Sequence, residues 1–312
     1  MSMKADAVFE GGGVRGIAFV GAICCFEEHG YKWEKLAGTS AGSIVASLLA
    51  AGYTGRELKK IIEELDYSKF ADKDWIQSIP LVGGLLGLLV HKGLNSGDYL
   101  EQWIGDLLRA KGKTKFRDVS VNNRSRLKII AADITRKELL ILPDDLNKYG
   151  INPMEFEIAK AVRMSCSIPF YFNPVQLSYP GGRSYIVDGG ILSNFPIWIF
   201  DVKGIPRWPT IGFRLSECKP QQKEHHTTGL LTYALDIAET IMDRNDEIYL
   251  NDKDAVRTIS IPTFGIKATR FDLTRKESRR LYESGYNKAK EFIGSWNFEN
   301  YIQRYRKKGH RR

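Results

Sequence analysis

Residues 33–52, WEKLAGTSAGSIVASLLAAG, contain the turn on which the fold depends. A short apolar strand leads into Gly-Thr-Ser-Ala-Gly at 38–42, and an almost wholly apolar helix follows. The spacing Gly-x-Ser-x-Gly between a strand and a helix is that of a nucleophile elbow, a sharp turn that presents the serine hydroxyl. Gly38 and Gly42 leave room where the strand and the helix approach each other. We therefore predict that Ser40 is a nucleophile, the alternative being a serine that only caps the helix.

The elements around this turn follow a strand–helix order. A buried strand over KADAVFE ends at Glu10, the loop GGGVRG spans 11–16, and a largely buried helix ends at Gly30. Strand, helix, strand and helix in succession predict the α/β class, with a mainly parallel central sheet covered by helices. Further helices are predicted over 54–66, 97–110, 152–166, 228–251 and 273–293. Further strands are predicted over 126–133, 137–143, 170–177, 184–188, 209–215 and 256–261.

The composition is that of a globular chain with a positive surface. The 312 residues are 43% hydrophobic and 27% charged, and the formal net charge is +9. Such a charge favours anionic partners such as phospholipid headgroups, although the basic tail RYRKKGHRR is first of all a solvated, frayed terminus. The cysteines form no C-x-x-C pair, and no signal peptide or membrane-spanning stretch is present. We therefore expect a cytoplasmic protein with reduced thiols.

The loop GGGVRG has the form G-x-G-x-x-G after a strand and before a helix. Its backbone amides can bind a dinucleotide pyrophosphate or the oxyanion of a tetrahedral intermediate, and a tight turn without a ligand fits the same letters. A dinucleotide site needs an acidic residue at the end of the second strand, about 20 residues on. Here that strand leads directly into GTSAG, and Glu34 precedes its apolar part. This arrangement counts against a nucleotide.

A serine nucleophile needs a base, and none of the five histidines is well placed. His29 ends a helix, His91 lies in an apolar segment and His310 lies in the tail. His225 and His226 lie in a polar loop late in the chain, where the histidine of an α/β-hydrolase triad is expected. A Ser–His–Asp esterase therefore stays open, although exposed loop histidines are the simpler interpretation.

The other candidate base lies in DGGILSNFP at 188–196. Asp188 ends a predicted strand and is followed by Gly189 and Gly190, at the position where open α/β sheets build their sites. An aspartate that only caps a turn gives the same pattern. Burial would raise the pKa of Asp188, and the amides of the glycine turn would lower it.

In this order and spacing, GGGVRG, GTSAG and DGG closely resemble the patatin-like phospholipase family, from about residue 5 to about residue 204. The segment RMSCSIPFYFNPV is also similar to one in that family. The resemblance implies a three-layer α/β/α fold and a Ser–Asp dyad that needs no histidine, metal or cofactor. Ser40 would attack the ester carbonyl, and Asp188 would take its proton. The oxyanion would be held by the backbone amides of Gly11, Gly12 and Gly13.

Arg15 and Gly16 complete the glycine motif. In the related cytosolic phospholipases the arginine of this loop is implicated in binding substrate phosphate, which implies that role for Arg15. The alternative is an arginine that pairs with a nearby carboxylate and braces the loop. The calcium-dependent relatives bind calcium through a separate C2 domain, and nothing in this sequence resembles one.

We expect a catalytic core over 4–204, an α/β extension packed on that core over 205–294, and a basic tail over 295–312. The expected function is a phospholipase A-type acyl hydrolase that acts through an acyl-Ser40 ester. Its partners would be phospholipid or another acyl lipid and the membrane surface, not nucleic acid. The alternatives are a Ser–His–Asp esterase, a nucleotide-binding module and an inactive adaptor. The apolar run IPLVGGLLGLLV at 79–90 is either a lid that admits acyl chains or a buried loop at the core edge.

Overall fold

The computed structural model describes residues 3–65, 93–216, 230–242, 250–270 and 272–307, and a mainly parallel sheet runs through them. The strands are β1 (Met3–Phe9), β2 (Tyr31–Thr39), β3 (Gly93–Asn95), β4 (Ser120–Val121), β5 (Arg124–Ser125), β6 (Leu127–Asp133), β7 (Glu138–Leu142), β8 (Phe170–Phe172), β9 (Val175–Tyr179), β10 (Gly182–Asp188), β11 (Thr210–Ser216) and β12 (Thr258–Pro262). The central sheet has the order β12-β11-β1-β2-β6-β10-β9, with β7 also paired to β6. Neighbours from β12 to β6 are parallel, whereas β10, β9 and β7 join by antiparallel pairing. The predicted α/β class with a mainly parallel sheet is confirmed.

The helices begin and end at signals that the sequence contains. They are α1 (Ile17–Glu28), α2 (Ala41–Ala50), α3 (Gly55–Glu64), α4 (Asp98–Ala110), α5 (Ile158–Ser165), α6 (Leu230–Met242), α7 (Asp252–Ala255), α8 (Arg275–Ser295) and α9 (Phe298–Tyr301). Thr54 and Thr274 start α3 and α8 with capping boxes. After α1 the chain turns at Gly30, whose φ is +84°.

The central strands are buried on both faces, as parallel strands in an α/β protein are. On β1, Ala7 and Phe9 belong to the main core, which includes α1. The intervening Val8 faces the other way and joins a second cluster with Ala37 of β2. That second cluster is completed by Phe195, Ile197 and Phe200, so the chain just after Asp188 covers this face.

Two predicted elements are each divided into two in the structure. The helix predicted over 152–166 is wrong in its first half, because Pro153–Glu155 form a separate 3-10 turn and α5 begins only at Ile158. Between them the chain is extended, and the Phe156 carbonyl accepts a hydrogen bond from the amide of Phe116 (3.2 Å). The strand predicted over 170–177 is divided into β8 and β9 around Pro174, which has no N–H for a ladder.

Residues 205–294, expected to pack on the core as an extension, supply two strands of the central sheet. β11 pairs directly with β1 and carries β12 on its outer side. α8 lies so close to α1 that a Cβ on Gly21 would come 1.9 Å from the carbonyl oxygen of Tyr282. The sheet that holds the site therefore depends on both ends of the chain.

Some sequence predictions concern residues outside the described ranges. They are the apolar run 79–90, His91, His225, His226, Cys218 and the end of the basic tail at 308–312. Among the helices that the structure describes, none is long and apolar enough to cross a membrane.

Candidate active site

Ser40 occupies a strained turn between β2 and α2. Its φ of 51° and ψ of −125° are rare for any residue with a side chain. The turn is tight because a Cβ on Gly38 would lie 2.2 Å from the Gly42 carbonyl, and one on Gly42 would lie 2.4 Å from the Phe9 carbonyl oxygen. Only glycine fits at these two positions, so the strand and the helix meet directly at the serine. Such strain is typical of functional sites.

Two serines that the sequence analysis did not single out fix the backbone of Ser40. The Ser40 amide donates to Ser165 Oγ (2.9 Å), which itself donates to the Ile130 carbonyl (2.6 Å). The Ser40 carbonyl accepts from Ser43 Oγ (2.6 Å) and from the Ser43 amide (2.8 Å). These bonds hold the turn in its strained shape. In the sequence, Ser165 is only a small polar residue near the end of a predicted helix. No local pattern distinguishes such a serine from one that merely packs in the core.

Asp188 lies at the end of β10 and is fully buried. Its Oδ1 accepts a hydrogen bond from the Gly190 amide (2.8 Å), and its own amide donates to the Ser167 carbonyl (2.9 Å). A Cβ on Gly189 would lie 2.5 Å from the Ile130 carbonyl oxygen, so the turn after Asp188 passes directly over β6. Thr39, just before Ser40, donates from Oγ1 to the Ser193 carbonyl (3.1 Å) and ties the elbow to this turn.

Burial raises the pKa of Asp188 from 3.8 to about 7, against the Ser40 hydroxyl and the Gly190 amide, which both lower it. The Ser40 hydroxyl is therefore close enough to act on this carboxyl. Among the described residues, however, Asp188 Oδ2 has no hydrogen-bond partner of regular geometry. Catalytic hydrogen bonds are often long or misaligned before substrate binds. Oδ2 is thus the free acceptor of a carboxyl that ionises near neutral pH.

The glycine loop lies against Ser40 and against Asn194 in the turn after Asp188. The Gly11 amide donates to the Asn194 carbonyl (3.1 Å), and Asn194 Nδ2 donates back to the Gly11 carbonyl (3.3 Å). A Cβ on Gly11 would lie 3.3 Å from Ser40 Cβ, so the loop touches the nucleophile. The Gly11 amide, one of the three predicted oxyanion donors, is therefore already engaged within the protein. Gly13 also lines the cavity at Ser40.

Arg15 is buried beneath this loop. Its Nε donates to the Gly12 carbonyl (3.2 Å), as does its own backbone amide (3.1 Å). Its charge is one of those that lower the pKa of Glu10, although burial dominates and raises that pKa to about 7. Gly16 packs closely on α2, because a Cβ added at this position would lie 3.3 Å from Ala41 Cβ.

An apolar cavity opens at Ser40. Its wall includes Ser40 and Cys166, and burial raises the pKa of the Cys166 thiol, which keeps it uncharged. The aliphatic and aromatic side chains of the wall are Val14, Ile17, Ile44, Val45, Ile62, Leu65, Leu100, Trp103, Ile168 and Phe172. A cavity of this composition accepts a hydrocarbon chain.

Of the five histidines, His29 alone lies within the described residues, where it is the C-cap of α1. Its Nδ1 lies 2.7 Å from the Cys25 carbonyl oxygen. Among the described titratable side chains, the Asp188 carboxyl and the buried, uncharged Cys166 thiol both interact with the Ser40 hydroxyl. Within the part of the chain that the structure describes, no group of three or more His, Cys, Asp or Glu side chains could hold a metal ion.

A family pattern and several known proteins match much of this chain. The sequence pattern of the family described as "Patatin-like phospholipase" matches residues 7–201. The uncharacterized protein YqhO of Bacillus subtilis (strain 168) is 38% identical over 297 residues, which are 95% of this chain and 100% of that protein. The probable lipid hydrolase 463L of Invertebrate iridescent virus 6 is 28% identical over 205 residues, 61% of each chain.

A solved structure shares the fold. The crystal structure of VipD from Legionella pneumophila superposes with a TM-score of 0.54 at 19% identity, over 93% of this chain and 67% of that one. At this identity the similarity concerns the fold alone. It extends well beyond residues 7–201, in keeping with the place of β11 and β12 in the sheet.

Proposed function

The chain belongs to the patatin-like phospholipase family, and we propose that it is a lipid acyl hydrolase of the phospholipase A type, with Ser40 as nucleophile and Asp188 as general base. The observation that carries the proposal is the meeting of three features at one point. A strained serine, a buried carboxyl with a raised pKa and the mouth of an apolar cavity all lie together. The name of the viral relative, a probable lipid hydrolase, supports the same reaction.

In the first half-reaction, Ser40 Oγ attacks the ester carbonyl carbon while its proton passes to Asp188 Oδ2. The carbonyl π electrons move to the oxygen, and the amides of Gly12 and Gly13 stabilise that oxyanion. When the intermediate collapses, the carbon–oxygen bond to the lipid alcohol breaks, and the alcohol leaves with the proton from Asp188. The product on the protein is an acyl-Ser40 ester.

In the second half-reaction, water attacks the acyl-Ser40 carbonyl and gives a proton to Asp188. Collapse of the second tetrahedral intermediate releases the fatty acid, and the proton returns to Ser40 Oγ. A carboxylate with a pKa of about 7 is a stronger base than one with the ordinary aspartate pKa of 3.8. The burial that costs stability at this position therefore makes Asp188 a usable base at neutral pH.

The cavity supports an acyl chain as the bound part of the substrate. We propose phospholipids as the main substrates, with neutral lipids and simple esters open to the same reaction because the cavity wall is almost wholly apolar. The net charge of +9 supports action at an anionic membrane surface, with the protein bound there peripherally.

Hydrolysis of a p-nitrophenyl acyl ester tests the dyad. We expect Ser40→Ala and Asp188→Asn to fall to the background rate, while the double variant His225→Ala/His226→Ala keeps wild-type activity. Ser47→Ala is the matched control, because Ser47 is likewise a buried serine but lies within α2 and donates to the Ile44 carbonyl. If activity survives in Asp188→Asn and disappears in the histidine variant, the general base is a histidine and not Asp188. Release of fatty acid from phospholipid vesicles then identifies the substrate.

A further inference from the structure

The peptide group between Gly12 and Gly13 has its two polar atoms on opposite sides, because a trans peptide is planar. Its carbonyl oxygen, that of Gly12, accepts two hydrogen bonds from Arg15, one from Nε (3.2 Å) and one from the backbone amide (3.1 Å). Its N–H, that of Gly13, therefore points away from Arg15. Gly13 lines the cavity at Ser40 and holds a φ of +54°. The direction of the Gly13 amide thus depends on where Arg15 is.

The Arg15 side chain does not face the cavity. It is 5% exposed, and it is missing from the cavity wall, although Gly13, Val14 and Gly16 on either side of it are part of that wall. On its own side of the loop it approaches Glu10, whose Oε2 accepts from the Leu215 amide (2.6 Å) on β11. A phosphate in the cavity would be separated from this guanidinium by the loop itself.

We propose that Arg15 is a positioning residue, which holds the Gly12 carbonyl and so aims the Gly13 amide at the oxyanion, and that it does not bind the substrate's phosphate. This role rests on the proposed acyl hydrolase function. The guanidinium also polarises the peptide group that it binds, which makes the Gly13 N–H a better donor. The bond needs the flat Nε of arginine, which a lysine ammonium on a flexible stem does not reproduce.

The test compares two substrates with the same acyl chain and glycerol, of which only one carries phosphate: 1-palmitoyl-lysophosphatidylcholine and 1-monopalmitoylglycerol. The variants are Arg15→Lys and Arg15→Gln. We expect both to lose kcat on the order of 10- to 100-fold, since removal of a whole oxyanion donor costs about 100- to 1,000-fold. The loss should be equal for the two substrates, with KM changed less than about twofold. A phosphate-binding role predicts instead a loss on the phospholipid alone, mainly in KM, with Arg15→Lys nearly intact.

Thermal unfolding separates positioning from general damage. Arg257→Lys is the matched control, because Arg257 is also a buried arginine but binds Asp254 and Asp201. The proposal is overturned if the loss falls on one substrate only, if folded Arg15 variants keep full kcat, or if Arg257→Lys loses as much kcat at an equal drop in unfolding temperature. Wild-type protein that cleaves neither substrate would overturn the proposed function, and this role with it.

Discussion

Asp188 and Asp201 are two aspartates of the same stretch of chain, and their surroundings move their pKa values in opposite directions. At Asp188 burial prevails, and only a hydroxyl and an amide oppose it, so the pKa rises to about 7. At Asp201 burial acts in the same direction, but the charges of Arg257 and Lys253 outweigh it and lower the pKa. Arg257 lies 2.8 Å from Asp201, and Arg306 lies 3.2 Å from it.

The cations beside a buried carboxylate, or their absence among the described residues around it, set its pKa and hence its reactivity. Asp201 is surrounded by cations and ties the chain after the second core cluster to α7 and to the C-terminal turn, so its charge serves stability. Among the described residues, Asp188 keeps one oxygen without a hydrogen-bond partner of regular geometry, and it has a proton affinity suited to catalysis. Three measurements test this contrast, and a fourth tests the backbone strain at Ser40.

The largest effect should be on activity. Asp188→Asn removes the base and should reduce kcat about 10⁴-fold, a loss comparable with that of other dyad and triad members. Asp201→Asn should keep kcat within about threefold, since it is bound to Arg257 and Lys253 and not to the site. Ester hydrolysis by the two folded variants measures both values. Equal losses would mean that Asp201 supports the site and that the contrast is false.

The next effect is on stability, and its sign should differ between the two aspartates. Because the pKa of Asp188 is about 7 in the folded protein against the ordinary value of 3.8, the folded protein holds a proton that the unfolded chain loses between these pH values. Stability therefore falls as pH rises through this window, by about 4 kcal/mol at most when each unit is worth about 1.4 kcal/mol. Asp188→Asn should remove that cost and increase the free energy of unfolding at pH 8, but hardly at pH 4.

Asp201→Asn should have the opposite sign at pH 8. It leaves Arg257 with one carboxylate fewer and should lower the free energy of unfolding by about 1 to 3 kcal/mol. Denaturant titrations of both variants at pH 4 and pH 8 give the two differences. Destabilisation of Asp188→Asn at pH 8 would show that the Asp188 carboxylate is stabilised in the fold and that its pKa is not raised.

The pH profile gives the third effect. Since the base must be deprotonated, kcat/KM for a soluble ester should fall below about pH 7, by about tenfold per unit. Asp201→Asn should show the same acidic limb as the wild type. A limb near pH 4 would mean that Asp188 ionises like an exposed carboxyl, and one near pH 8 would argue against Asp188 as the base.

The smallest effect concerns strain at the elbow. Ser40 has a φ of 51°, which alanine shares only at a cost and glycine adopts freely. Ser40→Gly should therefore be more stable than Ser40→Ala by about 1 kcal/mol. At Ser43, in the regular helix α2, the same pair should differ in the reverse sense by about 1 kcal/mol, because glycine weakens helices. Chemical denaturation of the four variants measures these free energies of unfolding. If glycine and alanine rank in the same order at both positions, the backbone of Ser40 is not strained.

The turns and the order of strands and helices could be predicted from the amino-acid sequence, because they depend on residues close together in the chain. Gly38, Ser40 and Gly42 predicted the elbow because only glycines let a strand and a helix meet there, and the structure has that turn. The order of strands and helices predicted the mainly parallel sheet. The glycines after Asp188 marked a turn at a strand end for the same local reason.

Properties of the site that depend on residues far apart in the chain could be read only from the folded structure. The pKa of Asp188 follows from its burial beside Ser40 and β6, and the use of the Gly11 amide follows from Asn194, neither of which a local pattern contains. The close packing of Gly12 against Leu215 of β11 is likewise a contact between residues far apart in the chain. Local sequence fixes turns because backbone sterics act between neighbours, whereas burial and charge act through space, so they are defined only once the sheet has brought the distant strands together.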